Sequence, residues 1–376
     1  MFAQVVQTLV ALAAASNVVP GAPSVEPAAR TEVSERQVTI TISPLRIEGS
    51  VEYHRHGPDG RVTFNWPGDG WAQGYRMELL DAEGRVLPIE MLHHVGVVNL
   101  GRRQLAYPMM ERLFAVGRET GHVTLPGWMG LRMSANQAMA AYFALVNPYG
   151  TAIEGASLRM TFDWRPAASG AELGPRTPRP RTSHHSGRAG RASREIVEIV
   201  PLIVSANPND GFGSVFDVPP GRSTKSAEFT LPVGGHLRAL GGHVHDHAVE
   251  LRLEDAETGR VLVRLDAQTD AAGTLEGVDT NYFLLRPQGF RLEAGRRYRV
   301  VGVYDNATGA TLPGAAMAYM AGPFVPDDVG LWPEVDPNDP MYARDRARLM
   351  GESAAAGHAA DHVADHVVDH DPAGHH

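Results

Sequence analysis

The chain has 376 residues, 43% of them hydrophobic and 20% charged, which is enough for roughly two domains of about 150 residues. Forty Gly and 27 Pro against 7% aromatics favour short segments joined by tight turns, an all-β chain rather than a helical bundle or a doubly wound α/β sheet. A net charge of -9 argues against nucleic-acid binding, and no apolar run is long enough for a membrane-spanning helix. With no Cys there are no disulfides, thiolate catalysis or Cys-ligated metal, so the 17 His are the carriers of any transition-metal chemistry.

In chain order, residues 1–22 have an apolar core at Leu9–Ala15 followed by small residues, and read as a secretory signal that lacks a basic start; a disordered leader is the other reading. Export without cysteine suits a bacterial periplasmic or secreted protein. From Gln37 the pattern alternates, with Val38, Ile40 and Ile42 on one face of a half-buried strand. Turn clusters then recur about every ten residues, the rhythm of a β-sandwich, across a first domain at 37–165. Within it Pro108 predicts one short helix, Met109–Val116, ended by Gly117. Residues 166–194 are rich in Pro, Arg and Ser and read as a solvated linker. A second sandwich follows at 195–325, with a hairpin whose strands run through Val249–Leu253 and Val261–Leu265. The stretches at Leu79 and Leu253, LLDAEGRVL and LEDAETGRVL, match as a duplication or as two similar turns. The extension 326–350 ends in a short helix with Asp339 as N-cap and Pro340 in its first turn, and the tail 351–376 is built of Ala, Asp and His.

Three His groups could carry metal chemistry. His243 and His245 share one face of a strand about 6.5 Å apart, close enough for two imidazoles on one ion; His247 lies on the same face about 13 Å from His243. His93 and His94 are adjacent, so joint ligation requires a local twist or bulge; otherwise one is buried and one exposed. In the tail, His358, His362, His366 and His370 recur every four residues, a helical chelating spacing or a solubilising segment. His54 and His56 read as surface alternation. No GxSxG elbow, P-loop, GxGxxG or HExxH is present.

The ordered set HH, HxH and a later Met, together with the phrases GGHVHDHAVELRLED, VYDNATGATLPGAAM and FVPDDVGLWPEVDP, resembles the copper type II, ascorbate-dependent monooxygenases that hydroxylate peptidylglycine and dopamine, and their bacterial branch, over roughly residues 75 to 335. The resemblance implies two tandem jelly-roll β-sandwich domains, with an electron-transfer copper on His93 and His94. It also implies an oxygen-binding copper on His243, His245 and Met317, with Met320 as the competing thioether. The implied reaction is reductant-driven C–H hydroxylation of a small organic substrate with O2, ascorbate or another reductant being the co-substrate. Three departures qualify it. The family's third first-domain ligand falls at Val146, Asn147 or Pro148, none an imidazole, so the chain holds two coppers only if another residue such as His122 completes that site, and otherwise one. Gly241 stands where peptide-processing members carry a carboxylate-binding Arg, which argues against peptidylglycine as substrate. The disulfides of animal members are absent. A non-catalytic extracytoplasmic copper-binding or storage protein, and an envelope module without metal, are the competing readings.

Overall fold

The computed structural model describes residues 26–49, 60–117, 122–167, 196–208, 215–283 and 289–350. The expected signal segment, His54 and His56, nearly all of the linker, and the His tail with His358, His362, His366 and His370 lie outside the described residues.

The chain is all-β. Before residue 167 its strands are β1 (Ala28–Val33), β2 (Gln37–Ile47), β3 (Gly60–Asn65), β4 (Gly70–Leu80), β5 (Leu92–Arg103), β6 (Met110–Gly117), β7 (His122–Thr124), β8 (Met129–Met133), β9 (Ala138–Leu145) and β10 (Ile153–Pro166). One sheet runs β1-β2-β10-β4, with β7 and β8 both on β4, and it faces a second sheet ordered β3-β9-β5-β6. The alternation in β2 is the one expected: Val38, Ile40 and Ile42 are buried between the sheets with Met77, Val95, Val97 and Phe162. Trp66 anchors this core edge-on to Phe162 and Trp164, with centroids 5.2 and 5.5 Å away. Strand β1 precedes the expected domain start and pairs with β2 over its whole length; its side chains are mostly exposed, so no apolar alternation marks it.

The later strands are β11 (Val197–Ser205), β12 (Phe216–Val218), β13 (Gly221–Thr230), β14 (Gly235–Leu237), β15 (Ala239–Val244), β16 (Ala248–Asp255), β17 (Val261–Thr269), β18 (Leu275–Val278), β19 (Thr280–Tyr282), β20 (Phe290–Leu292), β21 (Arg297–Asn306), β22 (Leu312–Ala316) and β23 (Ala318–Pro326). Strand β23 is the hub of one sheet, flanked by β11 on one side and by β14 and β15 on the other; the opposing sheet is β13-β21-β16-β17-β18. The expected hairpin is β16–β17. At its turn the Asp255 carboxylate accepts from the backbone of Glu257 and Thr258, and Gly259 takes φ +70°. Asp81 and Gly84 build a comparable turn after β4, but there only a Leu80–Val86 bridge follows, so the two phrases are similar turns in different settings.

Strand pairing and a shared core join the halves. Strands β8 and β11 pair in parallel, making one sheet continuous through both, and a shared apolar cluster contains Val98, Tyr107, Ala140 and Tyr142 from the first half with Val204, Leu240 and Tyr319 from the second. The segment 109–116, expected as a helix, is instead taken up by β6 from Met110 onward. Good helix formers there are overridden because both faces are covered: Leu113 and Phe114 enter the first core, while Met110 and Ala115 enter the shared cluster. The helix α1 (Pro340–Met350) forms as expected, the Asp339 carboxylate accepting from the N–H groups of Met341 and Tyr342. It packs back on β6 through a buried pair, Arg112 Nη2 donating to Asp345 Oδ1 at 2.6 Å. No helix among the described residues is long and apolar enough to cross a membrane.

Candidate metal centre

His243 is in β15, one residue from the strand's end, and its register partner on β23 is Tyr319. Directly opposed residues in a ladder share a face, and the two rings lie 6.5 Å apart. The neighbouring pair, Gly242 and Met320, points the other way. A Cβ on Gly242 would meet Leu251, Val278 and Leu265, which identifies that face as the core of the second half. The pleat therefore puts Met320 on the side away from the His243 ring. Met317 falls in the gap between β22 and β23. The last ladder pair is Val244 with Ala318, and one step further sets His245 opposite Met317. Of the two thioethers expected to compete, Met317 is the one whose backbone lies next to that of His245, the two being bridged by the Tyr304 hydroxyl.

The rings of His243 and His245 have centroids 5.2 Å apart. Two imidazoles bonded to one first-row ion at about 2.0–2.1 Å, with a tetrahedral angle between them, place their centroids about 5 Å apart, so the pair has a chelating spacing. His245 Nδ1 lies 3.0 Å from the carbonyl of Ala315. A carbonyl only accepts, so Nδ1 carries the proton and Nε2 keeps its lone pair for a metal. Burial first, then the neighbouring rings of His245 and His93, hold the His243 imidazole down to about 3, which keeps it a neutral ligand near pH 7. His247 does not extend this set. The chain leaves the strand after Val244, and His247 sits at φ +66° in a turn, its N–H donating to Gly273 O at 2.6 Å.

His93 and His94 open β5. Of the twist or bulge that their adjacency calls for, a bulge is present: Leu92 pairs with Leu145 and His94 with Ala144, so His93 is the extra residue on its strand. The two rings come within 5.0 Å, the same chelating spacing. His94 is buried on the face opposite Val95, the face β5 and β9 turn toward the second half. The ring of His93 is near enough to His243 that a charge on one opposes a charge on the other. Nearby, the Tyr107 hydroxyl accepts from Ser205 N–H at 3.0 Å and reaches Ser205 O at 3.3 Å, pinning β11 against the first half. Ser205 is paired with Tyr319, the partner of His243, so this clamp and both His pairs belong to one junction.

Of the positions expected for a third first-half ligand, Asn147 is taken up by a turn. Asn147 is fully buried, its Nδ2 donating to Thr151 O at 2.7 Å and its Oδ1 accepting from Tyr149 N–H, so its amide builds the turn after β9. His122 is exposed on β7 beside β4, in the sheet that does not contain His93, and its Nε2 lies 3.0 Å from Thr124 Oγ1. Tyr304 was not expected from sequence. Its hydroxyl accepts from His245 N–H at 3.4 Å and donates to the Met317 carbonyl; a Tyr within a buried strand carries no local sign of this reach.

No protein-family model matches the sequence, and no match is found among curated proteins. Among solved structures, that of Sulfolobus Turreted Icosahedral Virus is 10% identical and aligns over 84% of this chain and 96% of its own, with a TM-score of 0.35. PNGF-II is 9% identical over 76% of this chain and 59% of its own, with a TM-score of 0.30. The ANX1 ectodomain from Arabidopsis thaliana is 7% identical over 80% and 86%, with a TM-score of 0.16. At these scores the likenesses are remote and carry no statement of what this chain does.

Proposed function

We propose that this chain is an extracytoplasmic bacterial copper protein of the tandem jelly-roll monooxygenase type. His243, His245 and Met317 would hold one copper, with His93 and His94 contributing to a second. The observation that carries the reading is the convergence of two imidazole pairs, each at chelating spacing, on the junction between the two halves. The donor set agrees with it: two neutral imidazoles and a thioether favour Cu(I) over harder divalent ions.

Bound copper would supply one-electron chemistry with O2, driven by ascorbate or another reductant, to hydroxylate a C–H bond of a small organic substrate. The protein's own part is positional. Ala315 fixes the His245 tautomer, the bulge at His93 brings two adjacent rings together, and the Tyr107–Ser205 clamp ties the strand beside His243's partner to the first half. The second reading, a copper-binding or storage protein without catalysis, is favoured by one feature: Asn147 is committed to its turn and leaves the first pair two imidazoles.

Copper(I) stoichiometry of the full chain, loaded anaerobically, tests the proposal against His243→Ala and His93→Ala. Loss of one equivalent in each supports two sites and leads to an oxygen-uptake assay with ascorbate. Loss in His243→Ala alone supports the storage reading, and an unchanged count in both variants refutes both.

A further inference from the structure

We infer that Tyr304 is a positioning residue for the second-half pair, its hydroxyl acting as an inserted rung that sets the separation of His245 from Met317. The inference rests on the copper reading above. Ladder pairing between β15 and β23 ends at Val244 and Ala318. In an unbroken antiparallel ladder the next residues would approach backbone to backbone. Here an oxygen stands between them: the His245 N–H donates to Tyr304 Oη, and Oη donates to the Met317 carbonyl. The two segments that carry the imidazole and the thioether are thereby held one hydroxyl wider apart than a direct ladder bond would hold them.

The rung is supplied from outside the pair it bridges. Tyr304 belongs to β21 in the opposing sheet and crosses the core of the second half to reach the strand ends. It is buried, and its ring stands edge-on to Phe216, with centroids 5.6 Å apart at 90°, so it cannot swing away without disturbing the core. With one proton to give and one amide to accept from, the hydroxyl uses both capacities on the two ligand segments. Together with the Ala315 carbonyl on His245 Nδ1, it fixes the ring and the backbone of that residue. Outer-shell partners of this kind typically change metal affinity by about 10- to 100-fold when removed.

Tyr304→Phe keeps the ring and its contact with Phe216 and removes the rung. The matched control is Tyr298→Phe on the same strand, which removes a buried hydroxyl that accepts from Glu293 N–H at 2.7 Å, far from the His pairs. Cu(I) affinity is read by competition with a chromogenic chelator on the full chain, and the thioether by copper–sulfur scattering in X-ray absorption. The expected result is an affinity loss of about tenfold or more at the site that His243→Ala abolishes, with weakened sulfur scattering, in Tyr304→Phe and not in Tyr298→Phe. Equal affinity and equal sulfur scattering in Tyr304→Phe and wild type overturn the inference while leaving the copper reading intact. A wild type whose copper is insensitive to His243→Ala overturns both. If Tyr304→Phe does not fold, 3,5-difluorotyrosine at position 304 preserves the shape and weakens the hydroxyl as an acceptor; unchanged affinity there is the overturning result.

Discussion

Asp345→Asn should be the most damaging single-atom change outside the two cores. Asp345 and Arg112 have side chains only 2% and 6% exposed, and three bonds converge on the carboxylate. Arg112 Nη1 donates to Oδ2 at 2.7 Å, Nη2 to Oδ1 at 2.6 Å, and the Met110 N–H to Oδ2 at 2.9 Å. The amide keeps the shape but leaves a buried guanidinium without its countercharge and turns a donor toward it. Breaking a buried pair on one side costs about 3–5 kcal/mol, while removing both partners in favour of apolar groups is far cheaper. At about 4 kcal/mol the folded-to-unfolded ratio falls by roughly a thousandfold. Because α1 is held to β6 by this pair, and β6 to the His-bearing strand β5, the loss should also loosen the first His pair. Urea unfolding, followed by tryptophan fluorescence, should show a lower midpoint at unchanged slope. The double variant Arg112→Met/Asp345→Leu should recover most of the loss. An Asp345→Asn effect below about 1 kcal/mol, or a double variant less stable than the single, would refute the reasoning.

Two further outcomes are expected. The folded-state pKa of His243 lies below its ordinary value of 6.5, so its contribution is fully present above 6.5 and is lost as pH falls toward about 3. Copper-free wild type should lose about 2 kcal/mol relative to His243→Gln between pH 7 and pH 5, at up to ~1.4 kcal/mol per pH unit; parallel denaturation curves for the two proteins would contradict the assignment. A Cβ at Gly322 would sit 2.0 Å from the carbonyl oxygen of Ala239, a backbone atom with nowhere to retreat. Gly322→Ala should therefore prise β15 from β23, lower the unfolding free energy measured in urea by about 1–3 kcal/mol or more, and weaken Cu(I) binding; a neutral effect on both would show that the strands can shift apart freely.

Legibility followed sidedness. Where one face is buried, the pattern was readable: Val38, Ile40 and Ile42 mark β2, and the β16–β17 hairpin is bounded by its Asp255 turn. Capping chemistry was equally local, and Asp339 with Pro340 opens α1 as expected. Strand β6 was misread because both of its faces are covered and no alternation survives. The closeness of His243 and His245 in sequence is local, but His245 lies one residue beyond β15 and its ring is held by the Ala315 carbonyl, whereas the spacing of His93 and His94 depends on a bulge whose extra residue is defined only by the strand alongside.

The sequence by itself determined the β character of the chain, the metal-compatible His pairs and the absence of thiolate alternatives, since side-chain type and period-two spacing are properties of a few neighbouring residues. Only the tertiary structure decided that Met320 turns to the core side of β23, that Asn147 is consumed by a turn, that His122 lies on another sheet, and that Tyr304 reaches across to His245 and Met317. Each of these is set by the register and packing of strands far apart in the chain, and pairing energy of that kind has no local signature.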